Sequence, residues 1–305
     1  MPRHGLRPQV LMGVCCLLLA PDLLSPVLGG EIQAEPGALK VPIDTPRDRR
    51  PGQAAEQAEL APASLGLQVH ERLVYDIRVN GVPAGKSLLE VLRVEGEEKG
   101  PQVWVVELYT RSNRAVSWFF YDVDDRGYSK IDMKGGFSRF YSMRKEEGAI
   151  NTNERMLLTY DIGSMEAVYE RPRPDGQRRA YRIPLTGKVL DPLAAIYYLR
   201  ARALNLASLQ PGAMVYLPIC ADGRVWNTAL KVKSLVPTDA GYLKQRPCVV
   251  FEPEAEFRGL FERKSSMLIW VDVATGIPLK MAVEIPIGPA EITLQEAKRS
   301  PLPEK

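Results

Sequence analysis

From Val69 onward the chain is a succession of short runs rich in Val, Ile, Tyr, Phe and Trp, most of them separated by clusters of Gly, Pro, Asp or Asn. Several runs alternate. In Leu73-Val74-Tyr75-Asp76-Ile77-Arg78-Val79, the set Leu73, Tyr75, Ile77 and Val79 can face a core while Asp76 and Arg78 face water. Strands at this spacing, with no helical pattern between them, predict an antiparallel sheet. One stretch breaks the rhythm. Asp191 to Asn205, DPLAAIYYLRARALN, carries a capping Asp191, Pro192 at the first helical position, and Arg200 and Arg202 near the C-terminal end. Every residue from Leu193 to Leu199 is apolar or tyrosine, so this helix belongs in an interior. A curved sheet can wrap it and satisfy both elements with one core. The fold class expected is mainly β: a curved, open or spiral antiparallel β-barrel around one central helix at about 191–203.

The ends read differently. Arg3, His4 and Arg7 precede an apolar run from Val10 to Ala20, too short for the roughly 20 residues of a membrane span but suited to a secretory signal core. Small residues around Gly29 and Gly30 offer a cleavage site, so residues 1–30 are read as a signal peptide and the mature chain as a periplasmic protein without a membrane anchor. An uncleaved anchor is the alternative. Residues 31–66 carry five prolines and no hydrophobic period, and predict a disordered linker. Residues 67–297 are expected to form a single β-rich domain, and 298–305 a disordered tail. The net charge of +3, without a long run of one sign, argues against a nucleic-acid partner.

Motifs that suggest chemistry fail on their details. Gly81-Val82-Pro83-Ala84-Gly85-Lys86-Ser87 imitates a phosphate loop, but three residues separate the glycines where four are needed, and Pro83 removes a donor from the cradle. A hairpin turn is expected instead, and no ATP. Asp122, Asp124 and Gly127 imitate a calcium loop, but Arg126 and Met133 occupy ligand positions, so an exposed turn is expected. His70, the one histidine outside the signal, starts the first strand on what reads as an exposed edge, a poor setting for a catalytic base. No cofactor or metal is expected. Paired carboxylates stay open, because their pairing depends on the fold. Cys220 and Cys248 lie on the first and third of three successive strand-like segments; a disulfide and two buried thiols both remain open.

Two features could meet partners. The hairpin sequence YERPRPDGQRRAYR carries Arg171, Arg173, Arg178, Arg179 and Arg182; it reads as a solvated hairpin, or as a contact for anionic headgroups or polymers. Trp118, Phe119 and Phe120 form a dense aromatic run that reads as core or, with Tyr197 and Tyr198, as the lining of an apolar groove.

Four pieces in order, ERLVYDIRVNGVPAGKSLLEV, LDPLAAIYYLRAR, GLFERKSSMLIWVDVATGIPLKM and EIPIGPAEITL, resemble a bacterial exported family catalogued only as domain of unknown function 3108. The resemblance spans roughly Leu67 to Leu294 and implies a β-rich cell-envelope protein; it carries over no catalytic residues. The expectation is therefore a non-catalytic binding or scaffolding module of the envelope, with lipid, lipoprotein or cell-wall components as partners. A carboxylate-dependent hydrolase acting on an envelope glycan, and a purely structural protein–protein interaction module, are the alternatives.

Overall fold

The structure is a computed structural model that describes residues 67–97, 100–114, 122–147, 150–161, 164–172, 178–203, 210–253, 267–285 and 288–299. A first meander comprises β1 (Arg72–Val79), β2 (Val82–Glu95), β3 (Val103–Ser112), β4 (Asp124–Asp132), β5 (Ser138–Glu147), β6 (Ile150–Asp161), β7 (Ser164–Pro172) and β8 (Arg178–Pro184). Helix α1 (Pro192–Ala203) follows. A second meander comprises β9 (Met214–Ala221), β10 (Arg224–Ala240), β11 (Leu243–Pro253), β12 (Met267–Asp272), β13 (Pro278–Ile285) and β14 (Gly288–Lys298). All strands join one sheet in the order β8-β7-β6-β5-β4-β3-β2-β1-β14-β13-β12-β11-β10-β9, and every named pairing is antiparallel.

Strands consecutive in sequence are paired except β8 and β9; β1 with β14 is the one pairing of non-consecutive strands, and it joins the two meanders. The sheet therefore stays open between β8 and β9. Those two edge strands are consecutive in the chain, and α1 lies in the connection between them. Leu190 crosses to β9 as a parallel bridge to Ile219, and the helix then runs inside the curved sheet against β4, β9 and β12. This is the open β-barrel around a central helix that the pattern of runs predicts. Leu193, Ala194, Tyr197 and Leu199 are buried on it, each large side chain worth about 2–3 kcal/mol of transfer free energy.

The two ends of α1 are fixed by different chemistry. At the N-terminus, Asp191 Oδ1 accepts hydrogen bonds from the N–H groups of Leu193 (2.8 Å) and Ala194 (3.0 Å), as a capping residue should. Its Oδ2 accepts from the Ser129 hydroxyl (2.6 Å), and its own N–H donates to Ser138 Oγ (2.6 Å), so β4 and β5 hold the cap. At the C-terminus, Arg200 forms a two-point ion pair with Glu71, and both side chains are only about 1–2% exposed. Arg299 Nε reaches the same carboxylate at 2.8 Å. Glu71 precedes β1 and Arg299 follows β14, so this cluster ties the helix to the junction of the two meanders.

Two β-corners of one design flank the helix. After β4, the Asp132 N–H donates to Phe137 O and Gly136 N–H to Asp132 O; after β12, the Asp272 N–H donates to Ile277 O and Gly276 N–H to Asp272 O. Each aspartate also binds an arginine: Arg139 in the first corner (2.8 and 2.9 Å), Arg246 from β11 in the second (2.9 and 3.3 Å). Gly276, at φ 69°, is needed twice over, because a Cβ there would lie 2.3 Å from the Arg200 carbonyl oxygen.

Several local expectations hold. The phosphate-loop imitation is a two-residue hairpin turn with Asn80 at φ 51° and Gly81 at φ 76°, the signature of a type I′ turn. Lys86 points to water, 3.8 Å from Asp76. Two expectations fail. β1 is not an edge strand, since it pairs with both β2 and β14, and His70 stands in an exposed turn before it. The calcium-loop imitation is not an exposed turn either; it runs into β4. Its Gly127 lies inside that strand, where a Cβ would touch Leu193 of the helix at 3.4 Å, so the glycine marks close helix-to-sheet packing.

Candidate functional site

A polar belt crosses the inner face of the first meander, near the end opposite the Asp132 corner. Ser87 on β2 faces Thr110 on β3, their hydroxyls 2.9 Å apart. Thr110 faces Asp125 on β4. Since Arg126 faces Arg144, Asp125 stands opposite Lys145 on β5, and Glu147 lies diagonally beyond. Asp125, Lys145 and Glu147 are all buried, on the same face as Gly127 and Met143, which meet the helix. Asp125 hydrogen-bonds the Glu147 side chain and accepts the Glu146 N–H at 3.1 Å. Burial, reinforced by the Glu147 carboxylate, pushes the Asp125 carboxyl up to about 8 from its ordinary 3.8. Asp125 and Glu147 thus form a buried acid–acid contact between β4 and β5. It does not bracket a glycosidic bond, which needs carboxyl groups roughly 5–10 Å apart.

A second buried group lies near the opening of the sheet. The Tyr169 hydroxyl donates to Glu154 at 2.5 Å, and burial raises the Tyr169 phenol well above its ordinary range. Burial and the neighbouring carboxylates of Asp191 and Asp222 push the Cys220 thiol up to about 12. A thiol held so high stays protonated and is a poor nucleophile. Among the described residues, no group of three or more His, Cys, Asp or Glu side chains is placed to hold a metal ion. No described helix is long and apolar enough to cross a membrane.

The residues singled out in the sequence disperse. Cys220 and Cys248 are both free buried thiols. They face Val225 and Val236 of β10, eleven positions apart, or about 35 Å along the strand, far beyond disulfide reach. Tyr197 and Tyr198 are buried core residues of α1. Trp118, Phe119 and Phe120 lie outside the described residues. Of the arginines, Arg182 is exposed on edge strand β8 and donates to Glu166 at 2.6 Å. Arg171 is half-buried on β7, Arg178 and Arg179 begin β8, and Arg173 lies outside the described residues. Neither Glu71 nor the Asp125–Glu147 pair was legible in advance. The one available signal was that both acids sit at inward positions of alternating strands.

Similar solved structures include two. One is a β-barrel-like protein of domain of unknown function DUF1849 from Brucella abortus, 12% identical, covering 77% of this chain and 99% of that one, with a TM-score of 0.47. The other is a candidate exported protein with a YmcC-like fold from Bacteroides fragilis, 7% identical, covering 76% of this chain and 97% of that one, with a TM-score of 0.33. No curated protein matches the sequence. The profile described as protein of unknown function (DUF3108) matches residues 74–295, and the chain belongs to that family.

Proposed function

We propose that this chain is a non-catalytic binding module of the bacterial cell envelope that meets anionic envelope components through the arginine-bearing open edge of its sheet. Export through residues 1–30 to the periplasm, with residues 31–66 as a linker to the folded part, belongs to the same reading. The observation that carries it is the position of β8. Its sequence, RRAYRIP, has three arginines and no acid, and it is the terminal strand of a sheet that does not close. Arginine suits phosphate and carboxylate because its planar fork binds both oxygens at once. The interior supports the same conclusion from the other side. The helix fills it, and Tyr197 and Tyr198 are packed in the core, which leaves an acyl-chain groove at those tyrosines without support.

The test is co-sedimentation of the protein lacking residues 1–30 with phosphatidylglycerol vesicles and with phosphatidylcholine vesicles. Binding to the anionic vesicles is expected at low salt. It should weaken steeply as salt rises and drop at least tenfold when Arg178, Arg179 and Arg182 are replaced by Gln. Equal binding to both vesicle types would sink the proposal. The hydrolase reading is favoured by one observation, the buried Asp125–Glu147 pair, but two carboxyls in mutual contact stand closer than the spacing that flanks a scissile glycosidic bond.

A further inference from the structure

The two margins of the open sheet end differently. On β9 the Leu190 N–H donates to Pro218 O (2.8 Å) and the Cys220 N–H donates to Leu190 O (2.7 Å), so that margin is covered there, and Pro218 has no N–H of its own to offer. β8 is the terminal strand at the other margin, and among the described residues none pairs with its outer side. Its backbone orientation follows from the β7–β8 register, which runs without a bulge from Pro172↔Arg178 to Glu166↔Pro184. One step further in the same register, the Leu185 N–H donates to Met165 O (2.9 Å). Antiparallel ladders alternate, so Ile183, Tyr181 and Arg179 also turn their N–H and C=O groups toward β7. Pro184 falls in the alternate set, as a residue without an N–H must. Arg178, Ala180 and Arg182 therefore aim their N–H and C=O groups outward in one row.

Such a row of backbone donors and acceptors is a template for another strand, and the side chains restrict which one. β8 reads RRAYRIP, with three arginines and no acid. The same strand from a second copy would set arginine against arginine, which is unfavourable across a strand pair, whereas an acidic strand gains where the copy loses. Arg182 is placed for this: its side chain is 76% exposed, and its contact with Glu166 is a surface ion pair that is exchanged at little cost. Ala180, the next outward position, is small and exposed and leaves room beside it. We propose that β8 takes up an extended acidic polypeptide segment as an added strand. The outward N–H and C=O groups of Arg178, Ala180 and Arg182 form the main-chain ladder, and the Arg182 guanidinium meets a carboxylate on the segment. This rests on the reading of the arginine-bearing edge as an anion contact and names its class of partner. A headgroup or a free anion would use the arginines and leave the backbone row unmatched.

The test titrates the full chain with a fluorescent peptide of alternating glutamate and valine, and with its lysine–valine counterpart, reading binding by anisotropy. The acidic peptide should bind more tightly by about tenfold or more. In that complex, amide exchange followed by nuclear magnetic resonance should slow at Ala180 and Arg182 and stay unchanged at Tyr181, whose N–H already faces β7. Ala180→Pro removes one outward donor while keeping every arginine and every bond to β7. It should weaken the acidic peptide by about tenfold or more and leave co-sedimentation with phosphatidylglycerol vesicles unaltered. Equal affinity of A180P and the natural chain for the acidic peptide would overturn strand addition, and so would peptide binding without slowed exchange at Ala180 and Arg182. Binding to anionic vesicles with none to the acidic peptide would sink strand addition alone and leave the anion reading standing. Slowed exchange with no preference for the acidic over the lysine peptide would overturn the anion reading, and the acidic partner with it. If A180P does not fold, the exchange pattern of the natural chain decides: slowing at alternate residues of β8 supports the added strand, and uniform slowing or none refutes it.

Discussion

The two ends of α1 solve one problem by opposite means. At the N-terminus a single carboxylate, Asp191, is fully buried among neutral donors: two backbone N–H groups and a serine hydroxyl. At the C-terminus Glu71 is equally buried but lies between two guanidinium groups. The helix itself explains the difference. Its first turn supplies free N–H groups and positive potential, so an acid there needs no cation. At the last turn Arg200 enters the interior as a full charge, and in a low-dielectric core it has to bring its counter-ion. The lesson is that one end is replaceable by any good cap, while the other is an all-or-nothing pair.

That contrast orders the expected effects of substitution. Glu71→Ala strands Arg200 without its anion and should cost about 3–5 kcal/mol in denaturant unfolding. The double variant Glu71→Leu, Arg200→Met should recover most of it; a double variant as unstable as the single one would show that pairing geometry, not charge burial, secures the helix. Gly276→Ala attacks the same end through the backbone, with steric overlap at the Arg200 carbonyl and an unfavourable φ, and should lose about 3 kcal/mol. At the other end, Asp191→Ala should cost about 2 kcal/mol, whereas Asp191→Asn, whose Oδ1 can still accept from Leu193 and Ala194 while its amide N–H donates to Ser129 Oγ, should cost less than half as much. Equal losses for the two Asp191 variants would mean that charge matters at the cap after all.

A further effect is on pH. Asp125 binds its proton more tightly folded than unfolded. Between its ordinary carboxyl value and about 8 the folded state therefore holds more protons, and stability is full below that window and lost as pH rises through it. Desolvation raises Asp191 as well, so it acts in the same direction. Melting temperature should fall continuously from pH 5 to pH 8.5, the direction set by the raised Asp125 carboxyl. Asp125→Asn should flatten the curve. A melting temperature that climbs over that interval in the natural chain would contradict the assignment.

Local chemistry was readable where it was self-contained. The Asn80-Gly81 turn, the Asp191 cap with Pro192 behind it, and the apolar run of α1 are each decided within a few residues. The misreadings share a cause. Asp-Asp-Arg-Gly at 124–127 has the composition of a turn, yet it enters a strand because the helix, some 65 residues later, needs Gly127 beneath Leu193. His70 looked like the start of an edge because nothing local reports that β14 returns to pair with β1.

The sequence by itself determined the strand-rich class, the single helix and its cap, because alternation, turn residues and capping are properties of neighbouring positions. Only the tertiary structure decided that β1 meets β14, that Glu71 finds Arg200 across 129 positions, and that Asp125 and Glu147 come to share a buried space. Those outcomes depend on how the sheet curves and on the register between strands. An isolated Glu or Arg carries no mark of the partner that closure will bring to it.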